Sequence, residues 1–211
     1  FRSTQIVLVG MGVAQAIPLV GSLLIARIYV PAEFGIFSAW FGVVTVLAVL
    51  LSGRFEAALA VEPDGSARQM AVAATLVTIC ASSVFSIGAL TPIVWLVSSN
   101  TISAVLILTV VPASFMIAVG QTWQSWAAAE GLYRELSLLR IWQAIVVTAS
   151  QILFGLISPT AESLAVGQLL GLAVAIVVSN RLIPLRLTGT PSRVEILGQV
   201  IVFWKRHRKM P

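Results

Sequence analysis

Charged side chains are the scarcest feature of this 211-residue sequence. Asp, Glu, Lys and Arg together make up 10% of the residues, whereas an ordinary soluble domain carries about 25%. Hydrophobic residues make up 58%, and the mean hydropathy is +1.00. This balance excludes a soluble globule for most of the chain and predicts a membrane protein.

Residues that usually carry catalysis or bind metals are also scarce. Cys80 is the only cysteine, which excludes an internal disulfide and a multi-cysteine metal site, and the only histidine, His207, lies in a basic tail. The sequence contains no Walker loop, no HExxH and no GxSxG elbow. We therefore expect no enzymatic activity and no metal or organic cofactor.

Long stretches without charge separate the few charged residues. A bilayer core about 30 Å thick is crossed by about 20 apolar residues of helix, and in lipid the backbone must satisfy its own hydrogen bonds, which favours helices. The sequence therefore predicts an all-α, polytopic transmembrane helix bundle of six spans. The predicted spans are residues 5–26, 36–52, 69–90, 102–128, 138–157 and 163–180.

Several local signals refine these spans. Pro31 and Glu33 suit the first turn of a helix, although we expect a loop over residues 27–35. An extension of the second span from residue 52 to residue 61 is the alternative end of this span. In the last span, Gly167, Gly171 and Ala175 fall four residues apart, a small-residue stripe that lets two membrane helices approach closely.

Basic residues predict the orientation, because loops on the cytoplasmic side are enriched in Lys and Arg. With a cytoplasmic N-terminus, 12 of the 13 basic residues lie inside, and only Arg27 lies outside. The 12 are Arg2, Arg54, Arg68, Arg134, Arg140, Arg181, Arg186, Arg193, Lys205, Arg206, Arg208 and Lys209. Both the N-terminus and the C-terminal tail are therefore predicted to be cytoplasmic.

The chain divides into a six-helix lobe at 1–180 and a basic cytoplasmic linker at 181–211. Ser192 and Glu195 have the spacing of a capping box, and the apolar residues after them predict a short amphipathic helix on the membrane surface. The net charge of +5 favours anionic lipid headgroups as partners and not nucleic acid. Because the chain begins at Phe1, we expect a fragment of a longer protein.

Two charges after the second span, Arg54 and Glu56, are candidate site residues. An apolar stretch follows them, so Arg54 is placed to meet an anionic lipid headgroup such as a diphosphate. The alternative is an interfacial anchor that reaches water and is partly offset by Glu56.

Amide side chains within the spans are the second group of candidates. They either line a polar cavity that contacts sugar hydroxyls or join helices by hydrogen bonds. Gln15, Gln121 and Gln124 are the candidates for cavity contacts, and Gln143, Gln151 and Gln168 share their setting. The six tryptophans lie mostly near span ends, which is typical of an interfacial belt.

Segments in a particular order resemble one transporter family. Residues 26–37 (ARIYVPAEFGIF), 53–63 (GRFEAALAVEP), 132–143 (LYRELSLLRIWQ), 167–171 (GQLLG) and the basic stretch 204–211 are similar to polysaccharide and O-antigen flippases. These flippases belong to the multidrug/oligosaccharidyl-lipid/polysaccharide exporter superfamily. In the last segment Met210 stands where the family pattern has phenylalanine.

This resemblance implies one lobe of a two-lobe transporter with 12 or more helices. Such proteins are thought to flip undecaprenyl-diphosphate-linked sugars across the bacterial inner membrane by alternating access. The expected partners are then a lipid-linked oligosaccharide and a C-terminal lobe that would begin where this chain stops.

Two other functions fit the sequence less well. A drug exporter of the same superfamily would favour an acidic residue at mid-membrane, whereas all eight acids lie in predicted loops or near span ends. A membrane enzyme of glycan assembly would need acids or a histidine in sizeable loops, and the predicted loops are short.

Overall fold

The computed structural model describes residues 2–63, 65–97 and 103–182, and within these ranges all regular structure is helical. The helices are α1 (Arg2–Ile28), α2 (Pro31–Ser52), a 3-10 helix (Phe55–Ala60), α3 (Ser66–Val97), α4 (Ala104–Ala129), α5 (Tyr133–Ile157) and α6 (Ala161–Leu182). The all-α class predicted from the sequence is confirmed.

The bundle turns its apolar side chains outward, as a membrane protein does. Five helices are long and apolar enough to cross a membrane, namely α2, the Ser66–Ala89 part of α3, α4, α5 and α6. Large hydrophobic side chains such as Leu50, Phe85 and Ile157 are 68%, 78% and 81% exposed. In water this surface would be unfavourable, whereas in lipid it is expected.

The order of packing leaves a cleft on one side of the bundle. α1 packs along α5 and not along α2, its neighbour in the sequence, while α5 also packs along α6. α6 contacts α4, and α4 carries α2 and α3 on its other sides. α1 and α2 therefore do not pack along each other. α5 and α6 link them and form the wall of the cleft between them.

Side-chain contacts fix the direction of the helices. Arg68 Nη1 lies 3.0 Å from Glu130 Oε1, which brings the start of α3 to the end of α4. A carboxylate oxygen of Glu33 accepts a hydrogen bond from the backbone N–H of Ala161 at 2.7 Å, which joins the starts of α2 and α6. The chain therefore crosses back and forth. We call the end where α1, α3 and α5 begin the basic end.

Charge distribution follows this topology. Among the residues that the structure describes, Arg54, Arg68, Arg134 and Arg181 lie at the basic end, whereas Arg27 lies at the end of α1 on the opposite side. This segregation has the form that the sequence predicts for a multi-pass protein.

Small residues let α5 and α6 approach closely, as predicted. A Cβ added at Gly167 would lie 2.9 Å from the backbone nitrogen of Gln151, and one added at Gly171 would lie 2.7 Å from Val147 Cα. Ala175 continues the same buried face. Because the obstructing atoms belong to the backbone, a larger residue at either glycine would push the helices apart.

Two helix boundaries differ from the sequence prediction. α2 begins at Pro31, which confirms the helix start indicated by Pro31 and Glu33 but lies five residues before the predicted span, and the predicted loop 27–35 is reduced to Tyr29 and Val30. α5 begins at Tyr133, so the predicted start at residue 138 was wrong by more than a turn. Pro31 is preorganised for the first helical turn, and this local preference outweighs the polarity of the segment.

The extension of the second span to residue 61 was also wrong. Gly53 and Arg54 both adopt left-handed backbone conformations, with φ of 55° and 58°. These two residues stop α2 and turn the chain into the separate 3-10 helix. The first two residues of the linker predicted at 181–211 belong to α6, and the rest of the linker, with its predicted amphipathic helix, lies outside the described residues.

Trp40 is not part of an interfacial belt, contrary to the general prediction for the tryptophans. Its side chain is buried, and its indole nitrogen donates a hydrogen bond to the backbone carbonyl of Leu106 at 2.9 Å. Its ring also stacks on Phe37, with centroids 5.7 Å apart. Trp40 therefore joins α2 to the start of α4.

Substitution of Gly171 by alanine should destabilise the bundle. The added Cβ would meet the backbone of Val147, and overpacking of this kind costs about 1–3 kcal/mol. Thermal unfolding in detergent, followed by circular dichroism, should show a lower midpoint for Gly171→Ala.

Gly42→Ala is the matched control, because a Cβ at Gly42 meets nothing within 4 Å. Alanine is a better helix former than glycine by about 0.5–1 kcal/mol, so Gly42→Ala should be neutral or slightly stabilising. Equal losses in the two variants would contradict close packing of α5 against α6.

Candidate functional site

A polar cavity opens inside the bundle, in the cleft between α1 and α2. Two adjoining cavities of about 820 and 300 Å³ share Phe41, Gln124, Gln143 and Gln168 among their lining residues. We refer to them together as the amide cavity. Each of the two volumes lies in the range of ordinary ligand sites, about 300–1,000 Å³.

All six glutamines singled out from the sequence line this cavity. They come from four helices, which the topology brings to one place: Gln15 from α1, Gln121 and Gln124 from α4, Gln143 and Gln151 from α5, and Gln168 from α6. On α5 the lining residues 140, 143, 147 and 151 follow the spacing of a single helix face. The helical periodicity of α5 therefore places these residues together on the face that lines the cavity.

The two predicted roles of the amides are divided between different residues. Gln151 and Gln168 are both buried, and Gln151 Nε2 donates a hydrogen bond to Gln168 Oε1 at 3.3 Å. This pair joins α5 to α6 beside Gly167. By contrast, Gln121 Oε1 is buried with no hydrogen-bond partner among the described residues, and Gln15 is exposed. Gln15 is therefore accessible to a ligand or to water, and the Oε1 atom of Gln121 has no acceptor role within the described residues.

Arg140 is a lining residue that the sequence argument missed. It was counted only as a basic residue on the cytoplasmic side, because α5 was predicted to begin at residue 138. The helix begins at Tyr133, so Arg140 lies two turns inside α5, where its Nε donates a hydrogen bond to Gln124 Oε1 at 3.3 Å. Its spacing from Gln143 and Gln151 was the signal that could have revealed it.

Arg54 and Glu56 lie elsewhere, at the basic end and outside the lining of the amide cavity. Arg54 is exposed, has a positive φ of 58°, and its backbone N–H donates to Ser52 Oγ at 3.2 Å. Glu56 Oε2 is buried with no hydrogen-bond partner among the described residues. No ion pair joins Arg54 to Glu56 in this part of the chain.

The end of the cavity farthest from the basic end is bordered by aromatic residues. Phe34, Phe37 and Phe41 line it from α2, and the rings of Phe37 and Phe41 stack with centroids 6.0 Å apart. The hydroxyl of Tyr29 donates a hydrogen bond to the backbone carbonyl of Gln151 at 2.8 Å. Burial raises the pKa of Tyr29 above its ordinary value.

Amides in this arrangement can bind hydroxyl groups. Each primary amide offers donors and an acceptor, which matches the mixed donor and acceptor character of a sugar. Within the described residues, no group of His, Cys, Asp and Glu is arranged to hold a metal ion. The chemistry on offer in the cavity is recognition by hydrogen bonds, with one cation at Arg140.

Comparison of the chain with protein-family models, with curated proteins and with solved structures finds no match. The resemblance of the five sequence segments to polysaccharide flippases therefore remains a prediction, and function is argued from the geometry of the cavity.

Cysteine labelling should show that water enters the amide cavity. In a Cys80→Ser background, Gln143→Cys should react with a charged, membrane-impermeant thiol reagent, because only a hydrated thiolate reacts. Leu153→Cys is the control on the same helix, since Leu153 is 62% exposed on the apolar surface. We expect labelling at 143 to be at least about tenfold faster. Equal rates would mean that the cavity is dry or closed.

Proposed function

We propose that this chain is one lobe of a membrane carrier that moves a lipid-linked oligosaccharide across the bilayer. The observation that supports the proposal is a cavity lined by six glutamines inside a bundle of membrane-spanning helices. Polar groups at membrane depth are unfavourable unless they have partners, and they usually mark the path of a polar substrate.

The shape of the cleft suits a substrate with one polar and one apolar part. The glycan would occupy the amide cavity and exchange hydrogen bonds with Gln15, Gln121, Gln124 and Gln143. The hydrocarbon chain would pass between α1 and α2, which do not pack along each other, and would stay in the bilayer. The substrate could then cross without exposing its sugars to lipid.

Transport in this proposal proceeds by alternating access, in which two bodies rock around a central site. The second body would be a C-terminal lobe, as the resemblance to flippases implies. The distribution of arginines between the two ends of the bundle supports a cytoplasmic location for the basic end, and the resemblance to flippases implies a bacterial inner membrane.

Arg54 would contact anionic lipid headgroups at the membrane surface. Its left-handed backbone conformation carries strain of about 1–3 kcal/mol, and its side chain is exposed at the basic end. Both features support a contact of this arginine with lipid headgroups and not a role in the packing of the helices.

Binding measurements in nanodiscs test the proposal directly. The protein should bind a polyprenyl-diphosphate-linked oligosaccharide more tightly than the same polyprenyl diphosphate without sugar. Gln143→Leu should weaken binding of the oligosaccharide form by about three- to tenfold, because a neutral hydrogen bond contributes about 0.5–1.5 kcal/mol. Native mass spectrometry can report both affinities.

Gln69→Leu is the control, since it makes the same substitution in the first turn of α3, outside the cavity lining. It should bind like the unsubstituted protein. Identical affinity for the sugar-bearing and sugar-free lipids, or no effect of Gln143→Leu, would contradict a glycan site in the cavity.

A further inference from the structure

Arg140 is the one charged side chain among the described residues that line the amide cavity. A charge within a membrane span is costly and is usually paired or functional. None of the described acids lines the cavity, so the positive charge is not neutralised where it lies. The cavity therefore contains a positive charge without a negative partner among the described residues.

The guanidinium of Arg140 is held at one position only. Its Nε donates to Gln124 Oε1 at 3.3 Å, whereas the described residues provide no hydrogen-bond acceptor for Nη1 or Nη2. This leaves two nitrogens with parallel donors for another partner, the arrangement that binds a phosphate or carboxylate with two hydrogen bonds.

Arg68 shows what a structural arginine looks like in the same bundle. Its Nη1 donates to Glu130 Oε1 at 3.0 Å and to the carbonyl of Ala129 at 3.1 Å, and its Nη2 donates to the carbonyl of Glu62 at 3.2 Å. The fold thus satisfies the terminal nitrogens of Arg68 with its own acceptors. It does not do so for Arg140, although Arg140 lies deeper along its helix.

The depth of Arg140 identifies the chemistry of its partner. It lies seven residues after the start of α5, which corresponds to about 10 Å along the helix axis. The 25 residues of α5 are about 37 Å long, so a helix centred on a hydrocarbon core of about 30 Å places the Cα of Arg140 about 6 Å inside the core. A long arginine side chain spans such a distance to the headgroups, where the phosphate esters of lipids lie.

We infer that Arg140 forms an anion subsite at the basic end of the amide cavity and binds the phosphate ester of a lipid. Gln124 is a positioning residue, because its carbonyl oxygen holds Nε and leaves Nη1 and Nη2 directed to the ligand. The inference rests on the proposed function in that it places the phosphate beside the proposed glycan site. The phosphate ester has two sources, the diphosphate of a polyprenyl carrier or the phosphodiester of a phospholipid with a net negative charge.

The test compares two ligands in nanodiscs made of phosphatidylcholine alone. Sugar-free polyprenyl diphosphate probes the anion subsite, and a neutral alkyl oligoglycoside probes the glycan site. We expect Arg140→Gln to weaken binding of the diphosphate by about tenfold or more, because charge-assisted hydrogen bonds are lost. Binding of the neutral glycoside should change by less than about twofold.

Arg134→Gln is the matched control on α5, because Arg134 is exposed and lies outside the cavity lining. It should bind both ligands like the unsubstituted protein. If Arg140→Gln fails to fold, Arg140→Lys replaces it in the test: the lysine keeps the charge but loses the paired donors, and diphosphate binding should weaken by about threefold or more.

Several outcomes would overturn the subsite. The first is full affinity for the diphosphate in Arg140→Gln, or in Arg140→Lys where that variant replaces Arg140→Gln. The second is an equal loss of diphosphate affinity in Arg140→Gln and Arg134→Gln. A loss of neutral glycoside binding as large as that of the diphosphate would likewise assign Arg140 a general structural role.

Two further outcomes separate the sources and the hypotheses. If phosphatidylglycerol displaces the diphosphate and the displacement requires Arg140, the subsite is supported and its ligand is a phospholipid. If phosphatidylglycerol does not displace a diphosphate whose binding requires Arg140, the subsite is supported and its ligand is the carrier diphosphate. If the glycoside does not bind but the diphosphate does, in a manner that depends on Arg140, the glycan function fails and the anion subsite stands.

Discussion

Polar groups in this protein are governed by one constraint, which is that the hydrocarbon core supplies no water to hydrogen-bond them. The backbone meets the constraint by forming helices throughout the spans. Some side chains meet it by forming hydrogen bonds between helices. Gln151 pairs with Gln168 across the α5–α6 contact, and Ser114 donates to the carbonyl of Val44. The glutamines Gln15, Gln121, Gln124 and Gln143 are instead collected around one cavity, where a hydrated site can hold them.

Close packing and the cavity depend on each other. The glycines of α6 let its backbone approach α5 at Gln151, which places the paired amides at the back wall of the cavity. On the opposite side, α1 follows α5 and not α2, so that the cleft stays open. The same α5 therefore packs closely against α6 on one face and contributes more lining residues to the cavity than any other helix on another.

The sequence contained enough information for the helices but less for the site. Charge gaps indicated six helices, and the spacing of Gly167 and Gly171 indicated the close contact, because these are local or periodic signals. The start of α5 was misjudged, since a polar sequence at a helix terminus resembles a loop. That error of five residues hid Arg140, whose significance depends on long-range packing that brings Gln124 of α4 to it.

The central claim is that the cavity receives the glycan of a lipid-linked substrate, and photo-crosslinking tests it most directly. Two probes would carry the photoreactive group either on the terminal sugar or at the end of the polyprenyl chain, and adducts would be mapped by peptide mass spectrometry. The account predicts sugar-probe adducts on cavity-lining segments of α1, α4 and α5, and chain-probe adducts on the apolar surface. Sugar-probe adducts confined to residues outside the cavity, at the ends of the bundle, would contradict it.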